Sequence, residues 1–397
     1  MQYTPSNVVR VLNVRESIRL VFLFIILLAL SLAVSLSCLA LYLNFIGFSD
    51  VLRGLILSML PVGSFIVLLI SYQVSSTLLY LSPQVCLILC AFALILTPFT
   101  EAPSLLGLLQ LIRGIAVSIL WTYVEYLILV LSIDESTLKR NISLYAILFS
   151  VGFSIGAAVG VELFKLNFTL PFIISGILLI LILPYAFRLR KLAENINVKY
   201  VELLTEKKFL PLLCSLLCAF SYGSLEGLIS AHIIVYLKVI IDMTYTGLAV
   251  LLFSVFLISP LLAYIMLNIA KSRVMSISIA SICILISPFL TELFLNVHVN
   301  TVTRIVSATI LGAIMALIYM LGLEILAKVL GRELTGGLTK NLAYIVSYNI
   351  GIIVGTILIG LVIQLYGWSS LWTIIISLLI TGLTSYIIAR IYMRDTK

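Results

Sequence analysis

Five ionisable side chains, Arg113, Glu125, Glu226, His232 and Glu324, stand inside long apolar stretches. A charge at the centre of a lipid-facing helix costs about 2.5–3.5 kcal/mol even on insertion scales, so such groups are expected to face protein or water. Glu226 is deeply placed, with Cys218, Tyr222 and Ser230 at helical spacing on its face. That stripe reads as one wall of a wet cavity, where closure changes the hydration, and with it the protonation, of a carboxyl. Arg113 is its expected partner, engaging an anionic solute group or tuning the acid, and Tyr222 and Trp121 are expected to shape the pocket. Glu125 lies twelve residues beyond Arg113, about 18 Å along a helix and about 120° around it, so the two cannot pair within one span. With Trp121 and Thr122 one turn back, it sits nearer the cytoplasmic face, where gating contacts form. Glu324 has Lys328 at i+4, the spacing of an ordinary intrahelical ion pair, and the two read as a gating or structural charge pair. His232 lies off the Glu226 face and reads as a packed or water-exposed imidazole.

Enzyme chemistry finds no constellation here. The sequence has no GxxxxGK[ST] loop, no HExxH pair, no aspartate cluster and no mid-span lysine for a Schiff base, so neither nucleotide, metal nor other cofactor is implied. Ion gradients remain as the energy source. The six cysteines all fall in apolar runs, and the pairs Cys86/Cys90 and Cys214/Cys218 are spaced i, i+4, which suits small hydrophobes in helix packing better than metal or disulfide chemistry.

The elements that must position these groups follow from composition. Of 397 residues 62% are hydrophobic and 10% charged, far from the roughly 45–50% and 25% of soluble domains. Runs long enough to cross hydrocarbon recur along the chain, and in lipid they must be helices because unpaired backbone amides find no partner there. Twelve spans are predicted: 20–45, 51–71, 76–98, 104–131, 141–164, 170–188, 209–237, 244–270, 274–295, 302–329, 338–366 and 369–392. The first follows Arg10, Arg15 and Arg19 but is too long for a signal peptide, so it reads as an uncleaved span. Pro61, Pro260 and Pro288 sit inside spans and predict kinks.

A charged stretch from Arg188 to Phe209 divides the chain into 1–189, a linker 190–208, and 209–397. With both termini and the linker in the cytoplasm, nineteen of the 24 Lys and Arg residues fall on that side; Arg53, Lys165, Lys238 and Arg304 fall outside, and Arg113 alone within a span. This bias predicts a multi-pass protein of the cell membrane and accounts for the net charge of +8 without nucleic acid. The halves also echo each other. Tyr42-Leu43 matches Tyr236-Leu237, while Glu125 matches Glu324, Gly152 matches Gly351 and Gly156 matches Gly355, the last three at one offset of 199 residues.

Two local motifs add a resemblance. The segment Leu108 to Ala116 in span 4 carries Arg113-Gly114, and span 5 carries Gly152-x3-Gly156-x3-Gly160, with Ala157 and Val159 where a drug–proton antiporter motif has Pro and Gly. With twelve spans in two halves, the chain resembles the major facilitator superfamily. The family's charged loop between spans 2 and 3 is missing, since Ser71 to Thr77 is uncharged. The resemblance implies an all-α membrane protein of two pseudo-symmetric six-helix bundles, a central cavity lined by spans 1, 4, 7 and 10, and a seam of spans 2, 5, 8 and 11. The stripes Gly152, Gly156, Gly160 and Gly351, Gly355 are expected at that bundle interface, where small residues let backbones approach. The function expected is a monomeric permease moving a small organic solute by alternating access with proton coupling, as efflux antiport or uptake symport. An uncoupled facilitator and a non-transporting membrane receptor or assembly protein of the same fold are the alternatives.

Overall fold

The computed structural model describes residues 14–73, 83–132, 135–194, 209–269, 272–330 and 337–393, and among them only helices and short turns occur. Span 1 is Val14–Phe45, span 2 Asp50–Gln73, span 3 Pro83–Leu96, span 4 Pro103–Leu131 and span 5 Glu135–Leu166. Span 6 joins Leu170–Leu181 to Leu183–Glu194. Span 7 runs Phe209–Leu228, a π-helical turn Ile229–Ile233, then Ile234–Val239; span 8 likewise runs Tyr245–Phe253, a π-helical turn Ser254–Ile258, then Ser259–Ile269. Spans 9 to 12 are Arg273–Leu295, Thr301–Leu330, Gly337–Tyr366 and Ser370–Tyr392. Eleven of these are long and apolar enough to cross a membrane, and Pro83–Phe99 is a shorter apolar helix at span 3, so the chain is a multi-pass membrane protein. The interior of the predicted linker, 195–208, and the predicted start of span 3 lie outside the described residues.

Helix ends follow local chemistry. Thr244 and Ser272 cap spans 8 and 9 by accepting the amides of Gly247 and Met275, each at 3.1 Å. Spans 1 and 11 stop at Gly47 and Gly367, whose φ of 88° and 77° only glycine adopts freely. The short connections gather at one end of the molecule, called here the loop end, and a repeated tyrosine ties them. Tyr42 donates to the Thr100 carbonyl at 3.3 Å and its ring meets Phe168 and Phe172. Its counterpart Tyr236 donates to the Leu295 carbonyl at 2.6 Å and packs on Trp368.

Within each half the same pairs of helices pack: span 1 along span 5 and span 2 along span 4, then span 7 along span 11 and span 8 along span 10. The result is two pseudo-symmetric six-helix bundles. Glycines set the closest approaches. A Cβ at Gly152, Gly156 or Gly160 would lie 2.1–2.5 Å from a span 1 carbonyl, and one at Gly351 or Gly355 within 2.4 Å of a span 7 carbonyl. The predicted placing of these stripes at the seam between bundles is therefore corrected: they lock helices inside each half. Spacing of four names a helix face but not the helix that covers it.

The two bundles meet at the loop end. Arg53, predicted in an outer loop, is instead 1% exposed at the start of span 2. Its guanidinium pairs with Asp50, donates to Asn44 Oδ1 at 3.2 Å, and crosses to the other bundle to reach the Ala231 carbonyl at 3.0 Å. That carbonyl belongs to the π-helical turn of span 7, where the regular i to i+4 ladder is broken. Beside it, a Cβ at Gly54 would lie 2.1 Å from the Thr356 carbonyl of span 11. Arg304, also predicted outside, is buried and donates to the carbonyls of Asn296 and Val299, closing the turn after span 9. Backbone carbonyls take hydrogen bonds from both arginines, joined at Arg53 by the Asp50 carboxylate and the Asn44 amide oxygen.

Candidate functional site

A cavity of about 160 Å³ lies between the bundles, with Ser37, Phe149 and Phe153 from the first half facing Tyr222, Glu226 and Phe256 from the second. Both π-helical turns contribute to its wall, through Ile229 and Ser230 in span 7 and Val255 and Phe256 in span 8. The turn in span 8 has a cause in the sequence: Pro260 has no N–H to return to the Phe256 carbonyl, so the ladder widens there. The kink predicted at Pro260 thus takes the form of a bulge that opens toward the cavity.

Glu226 is the ionisable acid in this wall. It accepts a hydrogen bond from Tyr348 Oη at 2.7 Å, with the Tyr222 hydroxyl close by. Among the described residues no Lys or Arg pairs with it. Three tyrosine rings cluster on this side: Tyr222 lies 4.9 Å from Tyr319 and 5.8 Å from Tyr348, centroid to centroid. On the opposite side an aromatic row runs Trp121, Phe149, Phe153, Phe256, with successive centroids 5.3, 5.5 and 4.7 Å apart, and its last step crosses from one bundle to the other. Trp121 stands at the far end of that row, in edge contact with Tyr145 and Phe149.

Arg113 is elsewhere. It is 1% exposed, donating to the Leu32 carbonyl at 3.3 Å and Gln110 Oε1 at 3.4 Å, with the Cys90 sulfur beside it. It braces spans 1, 3 and 4, and the expected pair with Glu226 does not form, because span 4 turns this face to its own bundle. Glu125 is exposed and accepts from Tyr145 Oη at 3.5 Å. Glu324 pairs with Arg390 of span 12 at 3.5 Å, a partner the i+4 rule could not offer; the Lys328 side chain lies outside the described residues. His232 is fully buried, with Nε2 at 2.9 Å from the Thr356 carbonyl, so it is a packed imidazole and not a water-exposed one. Cys218, expected on the Glu226 stripe, turns away to the Gly382 carbonyl at 3.3 Å.

Sequence reasoning missed Tyr348, Phe256 and Arg53. One signal was present. Phe149 and Tyr348 are 199 residues apart, as are Tyr145 and Tyr344, the same offset as Glu125 and Glu324. Glu226 breaks the symmetry: at the 194-residue offset of Tyr42 and Tyr236 its counterpart is Leu32.

No protein-family model and no curated protein matches the sequence. Solved structures do match. The nucleoside transporter NupG superposes with a TM-score of 0.69 at 15% identity, over 94% of this chain and 99% of that one. A bacterial homologue of the human lysosomal transporter Spinster, inward-facing and occupied, gives 0.62 at 12%, over 96% and 94%. A bacterial homologue of the iron transporter ferroportin, inward-facing, gives 0.68 at 11%, over 95% and 99%. At these identities the likeness establishes the fold, which is that of the major facilitator superfamily.

Proposed function

We propose that the chain is a secondary transporter that moves a small organic solute across the cell membrane by alternating access, coupled to protons through Glu226. The observation that carries this reading is the cavity walled by both bundles, with an acid in it that no described cation neutralises. Neither half encloses the space alone, so separating the halves at one end while they meet at the other transfers its contents. A carboxyl with tyrosine hydroxyls as its partners exchanges its proton when closure removes or admits water. The similar structures carry the names of a nucleoside transporter, a homologue of a lysosomal transporter and a homologue of an iron transporter, which supports carriage without choosing a cargo. The distribution of Lys and Arg supports cytoplasmic termini, and one chain supplies both walls, which fits a monomer in which 190–208 tethers bundles 1–189 and 209–397.

The test uses proteoliposomes and a solute selected by thermal stabilisation of the purified protein. An imposed pH gradient is expected to drive accumulation, and Glu226→Gln to abolish accumulation while sparing exchange. Equilibration indifferent to the gradient would instead make the unsubstituted protein a facilitator. Failure to move any solute, with a stably co-purifying partner, would make it a receptor or assembly protein.

A further inference from the structure

The polar chemistry of the cavity wall is one-sided. Ser37, Ser230 and Ser259 all line it, and each has spent its hydroxyl proton on a helix carbonyl: Ala33 at 3.0 Å, Gly227 at 3.1 Å and Thr309 at 2.8 Å. These hydroxyls can only accept from a ligand. Glu226 takes a hydrogen bond from Tyr348, while an ionised carboxylate has about four acceptor sites, so it too has capacity to spare. Ser150 is the wall hydroxyl whose proton remains uncommitted. Among the described residues no Lys, Arg or His lines the cavity, and the candidate from sequence, Arg113, is bound into the core of the first bundle.

The rest of the surface is aromatic and aliphatic. Tyr222 lines the cavity beside the carboxyl, backed by Tyr319 and Tyr348 with centroids 4.9 and 5.8 Å from its own, and Phe149, Phe153 and Phe256 line the same space. Aromatic faces carry negative potential and attract a cation within about 6 Å, the more so where water is excluded. An anion in the same place would meet these ring faces and a carboxylate, with neutral hydroxyls and no described cation to hold it. We infer that the cavity selects a monovalent organic cation with an apolar body, its charge at the Glu226 carboxyl beside the Tyr222 ring and its apolar part against the phenylalanine row; this substrate class rests on the transport reading above.

Three probes of similar shape and different charge separate the contributions: benzyltrimethylammonium, its uncharged carbon isostere neopentylbenzene, and benzylsulfonate. Titration calorimetry on the full chain in detergent is expected to show saturable binding of the cation, with the isostere weaker by at least about tenfold, and no binding of the anion. Glu226→Gln is expected to weaken the cation by a similar factor of about ten and leave the isostere unchanged. Tyr348→Phe keeps the ring, and its affinity for the cation is expected to stay closer to that of the unsubstituted protein. Should Glu226→Gln fail to fold, the comparison of three probes on the unsubstituted protein decides alone. Equal or tighter binding of the anion or the isostere overturns the inference, as does undiminished cation binding by folded Glu226→Gln. Counterflow in proteoliposomes keeps the two readings apart. Movement of a neutral or anionic solute without cation binding sinks the cation site and leaves transport standing, whereas Glu226-dependent cation binding without movement of any solute does the reverse.

Discussion

Arg113 is held by a carbonyl and an amide side chain, with a thiol beside it, rather than by an acid. A buried arginine so placed is a structural brace, and an apolar side chain of similar length can replace such a group at little net cost because the desolvation penalty disappears with the charge. Arg113→Met is therefore expected to fold and to leave solute affinity within about twofold, while Arg113→Ala is expected to destabilise by about 2–5 kcal/mol through the cavity it leaves. Thermal unfolding and ligand titration of the two variants check this, and a tenfold loss of affinity in Arg113→Met would place the guanidinium on the solute. The intramembrane position of Arg113 and Glu226 was legible because charge in an apolar run is costly wherever it points. Their separation was not, since hydropathy does not tell which neighbour a helix face meets. Tyr348, 122 residues from its acid, was invisible for the same reason.

Helices were the most legible elements, because in lipid the backbone has almost no alternative. Their interiors were less so: the π-helical turn of span 8 follows from Pro260, but that of span 7 has no nearby proline and is recognised by its consequence, a carbonyl taken by Arg53 from the other bundle. The glycine stripes permit a sharper test. A methyl group at Gly156 would stand 2.3 Å from the Leu30 carbonyl, where backbone has to move, whereas one at Gly107 meets only Met59 Cγ at an ordinary 3.6 Å. Gly156→Ala is expected to cost about 1–3 kcal/mol by forcing spans 1 and 5 apart, and Gly107→Ala to stabilise by up to about 1 kcal/mol through helix propensity. Unfolding midpoints in one detergent compare them directly, and equal shifts would contradict the packing assigned to spans 1 and 5.

At the scale of the whole molecule, twofold repetition and one asymmetric acid define the arrangement. Repetition was legible in the paired tyrosines and glycines, and it fixed the architecture of two bundles. What repetition could not disclose was where the bundles touch, because the buried Arg53 contact, the Gly54 approach to span 11 and the crossing of Phe153 to Phe256 join unlike helices. Under the alternating access proposed above, the contacts at the loop end would break and re-form once in each cycle, and Arg53 would act as a latch. The direct measurement is the separation of spin labels at Glu162→Cys and Thr246→Cys, positions that share a shallow pocket between spans 5 and 8 of opposite bundles, while all six native cysteines are buried. A single short separation in the otherwise unsubstituted chain, joined by a second and longer one when Arg53→Ala removes the latch, is the expected result. One unchanged separation in both proteins, at every pH and with every solute that stabilises the fold, would contradict alternating access through this seam.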